Sequence, residues 1–193
     1  MVKRSSFSFR PGVRSALLIL LAALVLAGCA PKSVVSVSPA FNPVPDQEVI
    51  QVLPFVATLV PDAITDTVFN DFVDKLNDSR NGSGVQWFVI LKQEVQEVDP
   101  VWLAKQVYLS GELWSYVENS GCCSTEMRIK GRVRLFEPGR PQPTFEVAVP
   151  LESFFEHDRS TLADERAKLA RRLAREMAEQ VLAALRAKAP KNP

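Results

Sequence analysis

Three cysteines and one histidine carry the most reactive side-chain chemistry in this chain of 193 residues. Cys29 stands in Leu26-Ala27-Gly28-Cys29-Ala30, Cys122 and Cys123 adjoin in Ser120-Gly121-Cys122-Cys123-Ser124, and His157 lies in Phe155-Glu156-His157-Asp158. A single histidine rules out a two-histidine metal site within one chain, and no Cys-x-x-Cys spacing occurs, so no metal is expected. A catalytic dyad would need His157 beside a nucleophile such as Cys122 or Ser124. The blander reading is a surface histidine at a strand-to-helix junction. With no paired carboxylates, nucleophile elbow or metal spacing, the expectation is a protein that is not an enzyme and holds no cofactor.

Adjacent Cα atoms lie about 3.8 Å apart, below the roughly 4.4 Å lower limit of ordinary disulfides. Three states of Cys122 and Cys123 therefore stay open: a strained vicinal bridge, a bond to another chain, or free thiols. A second cluster is charged. Arg128, Lys130, Arg132 and Arg134 alternate with Met127, Ile129, Val133 and Leu135, so a strand would present the four cations on one face. They could meet lipid phosphates or an acidic partner, or pair across strands with Glu146 and Glu152; the second is the ordinary outcome on an exposed face.

The residues before Cys29 explain it. Lys3, Arg4, Arg10 and Arg14 precede a charge-free run from Ala16 to Gly28. This is the basic and short apolar pair of a secretory signal, since a spanning helix needs about 20 apolar residues. Leu26-Ala27-Gly28-Cys29 resembles the lipobox of bacterial lipoproteins. The resemblance implies lipid transfer to the Cys29 thiol, cleavage before it and a membrane anchor. Ala30 is not the aspartate of the inner-membrane retention pattern, so the expected location is the outer membrane, periplasmic face.

The chain has 23 Lys and Arg against 22 Asp and Glu; removing residues 1–28 takes four basic residues and no acidic one, leaving 19 against 22 and a net charge of −3. That balance argues against nucleic acid as a partner, because such affinity rests on neutralising phosphates. Residues 29–47 contain Pro31, Pro39, Pro43 and Pro45 among several serines and read as a lipidated tether. One domain follows at 48–189, with a short tail at 190–193.

Within the domain, EVIQVLPF reads as a buried strand, and Ile64, Val68, Phe69, Phe72 and Leu76 form one face of a helix with Asp62 as its N-cap. VQWFVI is a strand candidate and PVWLAKQ a helical turn. Tyr108–Val117, Met127–Leu135 and Phe145–Leu151 predict an antiparallel meander, joined by the turn-rich NSGCCS and EPGRPQP. Thr161 and Asp164 form a capping box before a long helix with an apolar stripe of Leu162, Leu169, Leu173, Met177, Val181 and Leu185. The expected fold is an α/β sandwich: a mixed sheet covered on one face by two main amphipathic helices. Trp87, Trp102, Trp114 and Tyr116 are interface candidates, although most are expected in the core.

VIQVLPF, VYLSGELWSYVEN and the terminal LARRLAREMAEQVLAAL make the chain similar to a broad group of periplasmic proteins. The group includes the lipoproteins CsgG and LpoB, the amino-terminal domain of TolB and auxiliary lipoproteins of ABC-type envelope transporters. The resemblance implies a non-catalytic accessory subunit of envelope assembly or transport with a protein partner. Alternatives are a lipid-handling auxiliary subunit and a CsgG-like oligomeric secretion component, the latter leaving homo-oligomerisation open. No segment between Gly111 and Leu151 is long and apolar enough for a membrane-inserting hairpin.

Overall fold

Stretches that alternate in polarity pair into a single sheet, and stretches with helical period cover it. The computed structural model describes residues 32–42, 48–93 and 97–188. Its elements run in the order β1 (Val34–Val37), β2 (Val49–Val52), β3 (Val56–Ala57), α1 (Asp62–Asp78), β4 (Trp87–Ile90), α2 (Pro100–Leu103), β5 (Tyr108–Ser120), β6 (Ser124–Phe136), β7 (Phe145–Glu156) and α3 (Leu162–Lys188). The sheet has seven strands in the order β1-β7-β6-β5-β2-β4, with β3 added against β5. β5, β6 and β7 form the antiparallel meander. β2 lies parallel to both β4 and β5, which makes the sheet mixed. The α/β sandwich expected from the pattern is the fold observed.

β6 shows how the sequence dictates the layers. Met127, Ile129, Val133 and Leu135 are all buried beneath the helices, whereas the intervening Arg128, Lys130, Arg132 and Arg134 lie on the opposite face. Leu169, Leu173, Met177, Val181 and Leu185 of α3 complete this layer, and Ile64, Val68, Phe72 and Leu76 of α1 join it. Gly131 sits where α3 comes closest: a Cβ built there would lie 2.8 Å from Met177 Sδ and 3.2 Å from the Leu173 methyls. The helix–sheet interface leaves no room at this point even for a methyl group. Gly111 plays the same part beneath the Phe55 ring, whose nearest carbon would be 2.1 Å from an added Cβ.

Polar groups close the ends of the elements. Thr161 Oγ1 accepts from the Asp164 N–H at 3.2 Å, the N-cap half of the capping box of α3, and the Asp164 carboxylate returns to the Thr161 hydroxyl, accepting from it at 2.7 Å. Asp62 is not the N-cap of α1. Proline at 61 takes that position, its carbonyl accepting from the N–H groups of Ile64 and Thr65, so Asp62 falls inside the first turn. Asn77, near the end of α1, pairs with the β4 backbone as a strand would. Its amide donates to the Phe88 carbonyl and accepts from the Phe88 N–H, both at 3.0 Å.

The tether reading requires correction over residues 34–42. Val34–Val37 pairs antiparallel with Phe145–Ala148 at the sheet edge, and Phe41 is buried against Phe145 with ring centroids 5.9 Å apart. The free edge of β7 offers unpaired backbone groups, and the four-residue run VVSV satisfies them. Glu137 secures the exit from this strand by accepting the Asn42 N–H at 3.0 Å.

Candidate functional site

A bulge in β5 organises the side chains that follow it. The register with β6 shifts between Trp114 and Val117, and Ser115 adopts φ 62°. The extra residue reverses which side chains face the helices. Before it, Leu109, Gly111 and Leu113 point into the core and Glu112 and Trp114 lie on the uncovered face; after it, Tyr116 and Glu118 turn toward α3. Arg166 of α3 donates through Nε and a terminal nitrogen to Glu118 Oε2 at 3.0 and 2.8 Å, and the Tyr116 hydroxyl donates to the same oxygen at 2.7 Å. Burial acts to raise the Glu118 carboxyl, yet the hydrogen bonds from Tyr116 and Arg166 and the guanidinium charge hold it below the usual range. The Tyr116 hydroxyl is pushed up, first by burial and then by its bond to the carboxylate. This cluster ties the hairpin to the helix, and nothing in the sequence marks the bulge that creates it.

The uncovered face carries the row of cations. Arg134 Nε lies 2.8 Å from Glu146 and a terminal nitrogen 3.6 Å from Glu112; Arg132 reaches the same two carboxylates at 3.8 and 4.0 Å. Arg128 holds Glu126 at 2.6 Å and Glu152 at 3.5 Å. Cross-strand pairing with Glu146 and Glu152, as read from the sequence, and with Glu112 engages three of the four cations, and Arg128 also holds Glu126 two residues away on its own strand. Lys130 makes no ion pair among the described residues; its register partners are Trp114 and Pro150. The Arg132 guanidinium lies 4.7 Å from the Trp114 ring centroid, a cation–π contact next to Lys130. Pro54, Val56, Ser110, Glu112, Arg132 and Arg134 line a shallow cleft of about 370 Å³ on this face.

The third group is the tip of the β5–β6 hairpin. Cys122 and Cys123 are free, exposed thiols with their sulfurs 3.1 Å apart. The Gly121 N–H donates to the Ser124 carbonyl at 2.8 Å, so the two cysteines are the loop itself. The neighbouring Cys122 sulfur pushes the Cys123 thiol up. His157 packs beside the tip, its N–H donating to the Cys123 carbonyl at 2.9 Å and its Nε2 within 2.8 Å of Thr125 Oγ1. The structure therefore brings His157 to the cysteine loop, but through backbone and hydroxyl contacts rather than a thiol–imidazole pair.

Aromatic exposure departs from the sequence reading. Trp87, on the edge strand β4, is 52% exposed with the Arg80 guanidinium 4.3 Å from its ring centroid, and Trp102 is also exposed. Phe154, not singled out from the sequence, is 67% exposed and lies on the uncovered face of β7; its place in the alternating run EVAVPLESFF was the available signal. Tyr116 alone of the four candidates packs on the core.

Cys29, the leader 1–28 and the tail 190–193 lie outside the described residues. None of the described helices is long and apolar enough to cross a membrane. Among the described residues no group of three or more His, Cys, Asp and Glu side chains is placed to hold a metal ion.

No protein-family model matches the chain, and no curated protein does. Solved structures that resemble it include the PelC dodecamer from Paraburkholderia phytofirmans, 14% identical with a TM-score of 0.49 over 76% of this chain and 96% of that one. A protein of the DUF330 family from Xanthomonas campestris is 13% identical with a TM-score of 0.48, over 80% of this chain and 92% of that one. The lipoprotein GNA1162 from Neisseria meningitidis is 10% identical with a TM-score of 0.43, over 69% and 96%. The structural neighbours thus include bacterial lipoproteins, at a level of likeness that assigns neither family nor activity.

Proposed function

We propose that this chain is a non-catalytic accessory lipoprotein of the bacterial cell envelope, held by an acylated Cys29 on the periplasmic face of the outer membrane and bound to an envelope protein through the uncovered face of its sheet. The observation that carries the reading is the order of basic residues, charge-free run and Leu26-Ala27-Gly28-Cys29 directly ahead of a folded domain. The sheet supports the binding half. α1 and α3 cover one side, and the other presents Lys130 beside the Arg132–Trp114 contact, a mixture of cation and aromatic surface that suits a protein interface.

The test is crosslinking of the full-length, lipidated protein in its own membrane from a photoreactive residue at position 126, followed by mass spectrometry. A dominant envelope protein, lost in the double variant Lys130→Glu and Arg132→Glu while that variant keeps its thermal transition, supports the proposal. Capture unchanged by the double variant overturns the assigned face. Self-crosslinks alone replace the reading with an oligomeric component. Radiolabelled palmitate that still enters a Cys29→Ala variant removes the anchor.

A further inference from the structure

We propose that Cys122 and Cys123 form a reversible redox site, oxidised to a disulfide within the same chain by a small-molecule disulfide. Both thiols are free, exposed and 3.1 Å apart. They are presented at the tip of the β5–β6 hairpin, where the Gly121 N–H to Ser124 carbonyl bond and the Ser120–Thr125 hydroxyl contact at 3.0 Å hold the loop from below. A cleft of about 600 Å³ opens beside Cys123, lined by Ser124, Phe154, Glu156, His157 and Asp158, so an oxidant reaches the sulfurs without any opening of the fold. Arg159 Nε pairs with Glu156 at 3.0 Å, which leaves Asp158 as the cleft carboxylate without an ion pair among the described residues, and an uncharged disulfide meets no charge penalty there.

The proximity decides between bonding inside the chain and bonding to a second copy. A sulfur already 3.1 Å away presents a far higher effective concentration than a thiol on another molecule. The ring that closes spans a single peptide unit, with Cα atoms about 3.8 Å apart; its strain makes the bond easy to reopen, so the site cycles rather than serving as a permanent staple.

The exchange runs in two displacements. The Cys122 thiolate attacks one sulfur of the oxidant, whose S–S bond breaks and releases one thiolate. Cys123 then loses its proton to water and attacks the Cys122 sulfur, expelling the second thiolate. Two protein thiols become one disulfide, and one small disulfide becomes two thiols. The two sulfurs are interchangeable in these roles, since either can donate the hydrogen bond between them.

The experiment incubates the full-length chain in detergent with 2-hydroxyethyl disulfide, then alkylates free thiols and digests with trypsin. Cleavage after Lys105 and Arg128 places both cysteines in one peptide, separate from Cys29. The expected product is that peptide lighter by two hydrogens and free of adduct, returned to two alkylatable thiols by mild dithiothreitol. The Cys123→Ser variant is expected to keep a mercaptoethanol adduct on Cys122. Disulfide-linked chains, a stable adduct on the unsubstituted protein, or two thiols still alkylated at an oxidant dose that oxidises a free dithiol would each overturn the proposal.

Discussion

Glu118 Oε2 receives three hydrogen bonds, two from Arg166 and one from Tyr116, at the point where the bulge turns β5 toward α3. The folded carboxyl titrates below its unfolded value of about 4.3. Its contribution is therefore whole above that value and fades as pH falls through the folded pKa. We expect Glu118→Gln to lower the melting temperature near pH 7 and to lose most of that penalty near pH 3. Comparing variant with parent at each pH by calorimetry removes the parallel contribution of Glu165, whose carboxyl is also lowered, chiefly by its bond from Lys168. A penalty equal at both pH values would refute the charge-based account.

Phe41 tests the attachment of the segment read from the sequence as a tether. Its ring is buried against Phe145. Truncation to alanine should cost about 3–5 kcal/mol if β1 and its exit are integral to the core. Urea unfolding gives the number, and a cost below about 0.5 kcal/mol, typical of exposed sites, would return residues 34–42 to the tether.

Gly131→Val should destabilise by about 1–3 kcal/mol through overpacking against Met177 and Leu173. Met177→Ala in the same chain makes room for the new methyls, so the double variant should be less destabilised than the sum of the two single ones. Additive losses in denaturant midpoints would show that the two sites do not touch.

The face pairs should contribute little. Arg134 is bonded to Glu146 at 2.8 Å but both side chains remain partly solvated, so Arg134→Ala should cost no more than about 1 kcal/mol and less in high salt. A loss that is large and independent of salt would point to a packing role for the arginine stem instead.

These results also mark what could be read beforehand. The meander was legible because the inward positions of β6, and of β7 as far as Leu151, are apolar at a period of two, and a one-residue slip in either would place charges in the core. The capping box and stripe of α3 were legible for the corresponding reason at helical period. β1 was not, since VVSV is short and sits among prolines and serines that belong equally to a loop; its pairing comes from an edge of β7 more than a hundred residues away. The bulge at Ser115 was hidden because the residues either side of it each continue a plausible strand, and only the register with β6 exposes the extra one. The cysteines could be read as a loop, but the nearness of His157 depends on the return of β7 beside the hairpin.

If Cys29 is acylated as proposed, the docking of β1 would set the length of the leash between fold and lipid. A tether running from Cys29 to Gln47 would let the domain roam, whereas a strand fixed at Val34 leaves five residue steps from Cys29, a reach of about 17 Å at full extension. With Cys29 acylated, the β1 edge would be held within one short radius of the bilayer and a partner would meet the domain near the membrane surface. Lengthening that leash by a few residues ahead of Val34 would then alter function while leaving every contact of the fold in place.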